Sequence, residues 1–272
     1  MYFNDLIEQM KTSEAVEGIM LGGSRATDTH DKDSDYDVYV YLNKSIDESV
    51  RKSIIDPYVC YMEYSNKFWE LEDDGILKDG VDIEFIYRTI EETDQLLDGI
   101  VLKHQAWNGY TTCFWDNLLH SKILYDKSGK LKDLVTKYDI PYPKALKENI
   151  IVKNFKLLSD QMPSFYYQLE KAVKRNDLIS MNHRLTELLG GYFDILFAMN
   201  EILHPGEKRL KEKTLALTEL PIGYERHIEE VFHTLYTSPN ACLQIIDEMI
   251  KNLYDLLKTD YEITLNSYKN QR

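Results

Sequence analysis

The sequence predicts an α/β N-terminal domain, a small mixed sheet with flanking helices, followed by an all-α helical bundle domain. Three observations carry this expectation. Between residues 18 and 125 short apolar runs alternate with polar turns, whereas from about residue 144 the apolar spacing becomes helical. Pro141, Pro143, Pro163, Pro205, Pro221 and Pro239 fall between the helical stretches, where helix breaks belong. Gly 12 and Pro 7 are low counts for 272 residues, which favours long regular elements over a loop-rich sandwich. At roughly 150 residues per domain the length suits one large domain or two modest ones. The expected division is 1–135 and 136–272, within the polar stretch 126–143 that contains DKSGK and two prolines.

The elements follow in order. A helical pattern covers residues 3–16, and GIMLGG (18–23) reads as a short buried strand ending in a glycine turn. DYDVYVYL (35–42) alternates strictly, with Tyr36, Val38, Val40 and Leu42 on one face. YVCYMEY (58–64) and VDIEFIY (81–87) are two further strands, and a helical pattern follows at 90–102. In the second half the helical period covers 145–158, 164–175, 177–203 and 241–257.

Composition narrows the function. Hydrophobic residues at 43% and charged residues at 29% are ordinary for a globular chain, which excludes disordered and fibrous classes. With 32 basic against 46 acidic residues the net charge is -14 at pH 7. Such a surface repels a nucleic-acid backbone and attracts a cationic small molecule. Cys60, Cys113 and Cys242 are odd in number, widely spaced and without a C-x-x-C pair, against a disulfide framework or a structural zinc site. Residues 1–18 have no signal-peptide pattern, and no run approaches 18 apolar residues. The chain therefore reads as cytoplasmic, with no membrane partner.

The segment that carries chemistry is MLGGSRATDTHDKDSDYDVYVYL, residues 20–42. Glycines let a backbone approach a ligand closely and expose N–H groups suited to phosphate oxygens. Ser24 adds a hydroxyl donor beside Gly23, and Arg25 adds a fixed positive fork. On a strand, residues two apart share a face, so Asp35 and Asp37 project together. Two hard carboxylates side by side suit Mg²⁺. VDIEFIY puts Val81, Ile83, Phe85 and Tyr87 on one face and leaves Asp82 and Glu84 on the other. An acid in the middle of an apolar strand is costly to bury without a cation or hydrogen bonds.

These residues resemble a known signature. Gly-Ser, a spacer of residues 25–34, Asp-x-Asp at a strand start and a third acid on a later strand are similar to the DNA polymerase β-type nucleotidyltransferase superfamily. The size and the helical second half resemble small bacterial enzymes that adenylylate aminoglycosides or lincosamides. ILYDKSGKL (123–131) and FAMNEILHPGEKRL (197–210) extend the resemblance to other bacterial proteins with this domain. The resemblance implies transfer of a nucleoside monophosphate from an NTP to a hydroxyl of a small-molecule acceptor, with release of pyrophosphate. ATP is the commonest donor in the group, so AMP is the expected cargo. Ser24 and the backbone at Gly23 would hold the β- and γ-phosphates. Asp35 and Asp37 would bind two Mg²⁺ ions, Asp82 would complete the acceptor-side site, and either Asp82 or Glu84 would serve as general base. Relatives often build sites across subunits, so a homodimer fits the resemblance.

Each feature also has a plainer reading. A Gly-Gly-Ser turn alone is usually a turn, and Asp-x-Asp alone is commonly a solvated strand end; the spacing and the later acid give them joint meaning. Arg25 is a phosphate contact or a surface arginine. Lys208 and Arg209, after Pro205-Gly206, neutralise a triphosphate or form an exposed helix start. Tyr39 and Tyr41 share the parity of Asp37 and are candidates for stacking a base, against a role in strand packing. Arg184, Glu187 and Asp194 are acceptor-site candidates or merely solvated, and His30, Asp28, Asp31 and Asp33 read as a solvated loop. Two other function classes stand beside the small-molecule enzyme: an antitoxin-like enzyme that modifies a protein, and a non-catalytic nucleotide-binding module.

Overall fold

The computed structural model describes residues 2–27, 34–67 and 70–265. A six-stranded sheet organises the first half. Helix α1 (Tyr2–Met10) precedes β1 (Val16–Leu21), the short helix α2 (Gly23–Ala26), β2 (Tyr36–Leu42) and α3 (Glu48–Ile55). Strands β3 (Val59–Asn66), β4 (Leu71–Leu77) and β5 (Asp82–Arg88) lead to α4 (Ile90–Leu97). Helix α5 (Cys113–His120), strand β6 (Lys122–Asp126) and helix α6 (Lys130–Tyr138) complete this part. The spatial order is β3-β4-β5-β2-β1-β6. Strands β2 and β5 run parallel, and the other neighbouring pairs run antiparallel.

The alternation in β2 and β5 does what the sequence suggests. Val38, Val40 and Leu42 from β2 join Ile83, Phe85 and Tyr87 from β5 in one buried cluster. Phe3, Leu6, Ile7 and Met10 recur at helical spacing along α1 and cover that face, together with Ile55 of α3. Each fully buried side chain of this size contributes ~1.5–3 kcal/mol. The other face of β2 and β5 carries residues 37, 39, 41, 84, 86 and 88, and it holds the candidate site. At β1 a side chain on Gly18 would meet Leu131 Cδ1 of α6 at 2.3 Å, so the bare glycine lets that leucine pack directly on the strand.

Strand β4 was not expected, because LEDDGIL places three acids in a row. Its central acid points into the core. Asp73 is fully buried against Arg51 of α3, with Arg51 Nε donating to Asp73 Oδ2 at 2.7 Å and Nη2 donating to Oδ1 at 3.1 Å. Tyr87 Oη and the Ser65 N–H also donate to Asp73, at 2.8 and 2.9 Å. Arg51 spends its remaining donors on the Ile46 carbonyl and the Ser65 hydroxyl. A buried ion pair persists only when such bonds satisfy both partners.

The chain divides into two units by contact: Met1–Asp98 with Phe114–Pro141, and Gly99–Cys113 with Tyr142–Arg272. The second unit is helical throughout its later part, with α7 (Lys144–Phe155), α8 (Phe165–Lys174), α9 (Leu178–Met199), α10 (Leu210–Leu215), α11 (Tyr224–Thr234) and α12 (Pro239–Leu257). Helix α9 is buried at every position from Leu188 to Met199, as a helix at the centre of a bundle must be. Residues 99–113, read from the sequence as part of the first domain, pack with this helical unit, and residues 136–141 pack with the first. The reason is a polar node. Asp194 of α9 is 1% exposed and accepts from the Thr111 N–H at 3.0 Å, the Thr111 hydroxyl at 2.7 Å and Asn154 Nδ2 at 3.0 Å. Asn154 Oδ1 in turn accepts from the Gly109 N–H at 3.1 Å. Burial pushes Asp194 up to about 6 against the pull of these donors. No helix among the described residues is long and apolar enough to cross a membrane.

Replacing Asp73 with asparagine strands the Arg51 charge in the core, at an expected cost of about 3–5 kcal/mol. Urea unfolding of D73N measures this, and a loss below ~1 kcal/mol would mean that the pair does not anchor β4.

Candidate active site

Strand β1 ends at Leu21, and the chain turns at once. The Gly22 N–H donates to the Asp37 carbonyl at 2.8 Å, which closes the turn onto β2. Gly23 has φ +62, and a side chain there would lie 1.9 Å from Asp37 Oδ2. Both facts require glycine. The turn and the second carboxylate of Asp-Tyr-Asp are therefore in direct contact. Ser24, in α2, is partly buried beside them.

Strand pairing gathers the acids. In the parallel ladder Tyr36 stands opposite Ile83 and Asp37 opposite Glu84. Extending that register by one residue brings Asp35 level with Asp82. Glu84 is opposite Asp74 of β4, and Asp74 is opposite Glu63 of β3. Directly opposed residues share a face of the sheet. Asp37, Glu84, Asp74 and Glu63 thus form a row of carboxylates, one on each of four adjacent strands about 4.8 Å apart. Glu72 lies two residues from Asp74 on the same face, and carboxylate oxygens of Glu72, Asp74 and Glu84 fall within 4.8 Å of one another.

The electrostatics match this crowding. Burial pushes the Glu84 carboxyl up to about 7, and the charges of Asp37, Asp74, Glu72 and Asp35 push in the same direction. Glu72 is also raised, first by burial and then by Asp74. The outer end of the row is tied to polar neighbours: Asn66 Nδ2 donates to Asp74 Oδ2 at 2.6 Å, and Tyr61 Oη donates to Glu63 Oε1 at 2.5 Å. Asp82, the first residue of β5, is exposed and faces the same side as Glu84. Hard oxygen donors gathered in this way, two of them with raised carboxyls, are a donor set that a divalent cation relieves.

The remaining sequence candidates divide. Gly23, Ser24, Arg25, Asp35, Asp37, Asp82 and Glu84 all belong to the sheet unit, whereas Lys208 and Arg209 are exposed residues leading into α10 of the helical unit. Arg25 donates to the backbone carbonyls of Ser34 and Asp35. Tyr39 and Tyr41 are not open to a base. Tyr39 is 8% and Tyr41 2% exposed, the Arg88 guanidinium lies 4.3 Å from the Tyr39 ring centroid, and Asn117 donates to the Tyr39 hydroxyl at 2.9 Å. Asp194 is sealed in the node described above and does not face an acceptor; Arg184 and Glu187 lie on the same helix, partly exposed. His30, Asp28, Asp31 and Asp33 lie outside the described residues. Sequence reasoning missed Glu72, Asp74 and Glu63. The signal for the first two was alternation about Asp73, visible once that acid is assigned a buried partner. Farther along the same face, ~13 Å from the row by strand rise, a cavity of ≈ 350 Å³ is lined by Tyr41, Arg88, Leu96 and Phe114 among others.

Comparison with known proteins finds a family match over the sheet-bearing part of the chain. Residues 4–106 match the family model described as a nucleotidyltransferase domain. Residues 116–210 match a domain of unknown function, DUF4037. No curated protein matches the chain. Among solved structures, the chain is similar to a nucleotidyltransferase-like protein from Exiguobacterium sibiricum 255-15, at 11% identity and TM-score 0.44, over 95% of this chain and 74% of that one. It is also similar to an aminoglycoside 6-adenyltransferase from Bacillus subtilis, at 11% identity and TM-score 0.32, over 98% of this chain and 94% of that one. A CCA-adding enzyme from Thermotoga maritima, complexed with tRNA, matches at 11% identity and TM-score 0.25, over 98% and 84%.

Because Glu84 has its proton held tightly in the folded protein, its contribution to stability is complete below about pH 4.5, declines towards about pH 7 and is flat above. A divalent cation favours the charged form, so Mg²⁺ or Mn²⁺ should raise the melting temperature more at about pH 8 than at about pH 5. Carboxyl NMR titration should also show the Glu84 pKa falling in Asp37→Asn; an unchanged value would mean that the two groups do not interact.

Proposed function

We propose, for a chain that carries a nucleotidyltransferase domain at residues 4–106 and is an enzyme of that class, that it moves AMP from ATP to a hydroxyl of a small, amine-bearing acceptor and releases pyrophosphate. The observation that carries this reading is the contact of the Gly22-Gly23-Ser24 turn with Asp37, and the pairing of Asp37 with Glu84 on the next strand. A phosphate-binding turn and a carboxylate pair share one place.

In this reading the turn and the Ser24 hydroxyl hold the β- and γ-phosphates. Asp35 and Asp37 hold two Mg²⁺ ions, and Asp82 completes the acceptor side. Bound there, Mg²⁺ supplies charge neutralisation at the phosphates and activation of the acceptor hydroxyl. Glu84 takes the proton of that hydroxyl. Its place opposite Asp37 on the neighbouring strand puts it beside the cation-binding acids, where a base for the acceptor hydroxyl must stand. Asp74, Glu72 and Glu63 continue the row away from the glycine turn. With a net charge of -14 they favour an acceptor that brings amines, as an aminoglycoside- or lincosamide-like compound does.

The test incubates the protein with Mg²⁺, each of the four NTPs and a pooled panel of amine-bearing acceptors, and reads pyrophosphate release and product mass. Asp37→Asn should abolish turnover while the fold persists, and Glu84→Gln should lower kcat by about 10²–10⁴-fold. Full activity in D37N would remove the assignment. Label transferred to protein in place of the panel would replace the small-molecule acceptor with a protein one.

A further inference from the structure

Arg25 belongs to the glycine turn, yet its guanidinium is directed away from the carboxylates. Its Nε lies 3.0 Å from the carbonyl oxygens of both Ser34 and Asp35, and its Nη2 lies 2.6 Å from the Ser34 oxygen. The guanidinium carbon is 4.1 Å from the centroid of the Tyr36 ring. Phe3 of α1 stacks on that same ring at 3.9 Å and 7°. Two groups this close to one ring must occupy opposite faces of it, so Arg25, Tyr36 and Phe3 form a three-layer stack.

Parity decides what this stack does. Tyr36 shares the side of β2 that carries Val38 and Val40 into the core, whereas Asp35 and Asp37 project from the other side. The guanidinium therefore lies behind the start of β2, not over the acids. Just before the first residue of that strand, Arg25 donates to two successive main-chain carbonyls, those of Ser34 and Asp35. A planar fork with several fixed N–H groups can grip two successive carbonyls and stack on an aromatic ring together; a lysine ammonium cannot reproduce that combination.

We propose that Arg25 is a positioning residue: it clamps the main chain at Ser34 and Asp35 and so sets the Asp35–Asp37 carboxylate pair for its cation, instead of touching phosphate. The inference rests on the metal-dependent reading of the site given above. Its action runs through the backbone, from the turn that begins the motif to the strand that completes it.

The experiment measures Mn²⁺ binding to nucleotide-free protein by electron paramagnetic resonance, alongside kcat and the KM for ATP, in wild type, Arg25→Ala, Arg25→Lys and Tyr36→Leu. Thermal melting first confirms that each variant is folded. Outer partners of metal ligands typically contribute 10–100-fold, so R25A should weaken Mn²⁺ binding by about that factor and lower kcat, with KM for ATP within ~3-fold of wild type. R25K should fail to rescue Mn²⁺ binding. Y36L should weaken Mn²⁺ in the same direction, although its ring lies on the side away from the acids. A raised KM for ATP with unchanged Mn²⁺ affinity, restored by R25K, would overturn the proposal in favour of a phosphate contact. Wild-type protein that neither binds Mn²⁺ nor transfers a nucleotide would remove the functional reading and this inference together. Normal wild-type binding and turnover with unchanged Mn²⁺ affinity in R25A would remove the inference alone.

Discussion

The parallel pairing of β2 with β5 holds together charges that would separate if left to themselves. Asp37 and Glu84 face each other across one rung of that ladder, with Asp74 on the next strand. Nothing in the acids favours this arrangement. It is enforced from behind, where Val38, Val40, Ile83 and Phe85 are buried in the same core and fix the register of both strands. A slip of one residue would carry every apolar side chain to the polar face and every acid into the core. Hydrophobic burial thus sets the electrostatics of the opposite face, where burial first and the neighbouring acids second raise the Glu84 carboxyl.

The outer part of the acidic row depends on a different device. β4 carries acids on both faces, and its place in the sheet requires that Asp73 be neutralised inside. Arg51 does this from α3, with Tyr87 and Ser65 satisfying the remaining lone pairs of Asp73. With Asp73 secured inward, Glu72 and Asp74 are turned outward beside Glu84. A buried ion pair on one face therefore positions a largely buried acidic cluster on the other.

The sequence made β2 and β5 legible because both strands alternate cleanly between apolar and acidic residues. It also made Gly23 legible, since a glycine before Ser24 is where a tight approach is needed. It hid β4, because a buried aspartate looks like a loop residue until its arginine is known, and that arginine is 22 positions away. It hid the true setting of Tyr39, whose ring is covered by Arg88 and whose hydroxyl is held by Asn117, partners that no periodicity reveals. The same limit applies to Thr111 and Asp194. Their hydrogen bond spans 83 positions, and it draws residues 99–113 into the helical unit although their local composition gives no such sign.

That excursion has a consequence for how the protein can be inherited and rearranged. The chain changes unit three times, after Asp98, after Cys113 and after Pro141. The two family-matched segments, 4–106 and 116–210, are therefore not separable building blocks. A fragment ending at residue 106 would keep a strip of the helical unit and lose β6, leaving β1 as an uncovered sheet edge of the kind that invites aggregation. Recombination at that point would yield two broken parts. Because the connectivity passes between the two units at three places, no single cut in the chain parts the sheet from the helices.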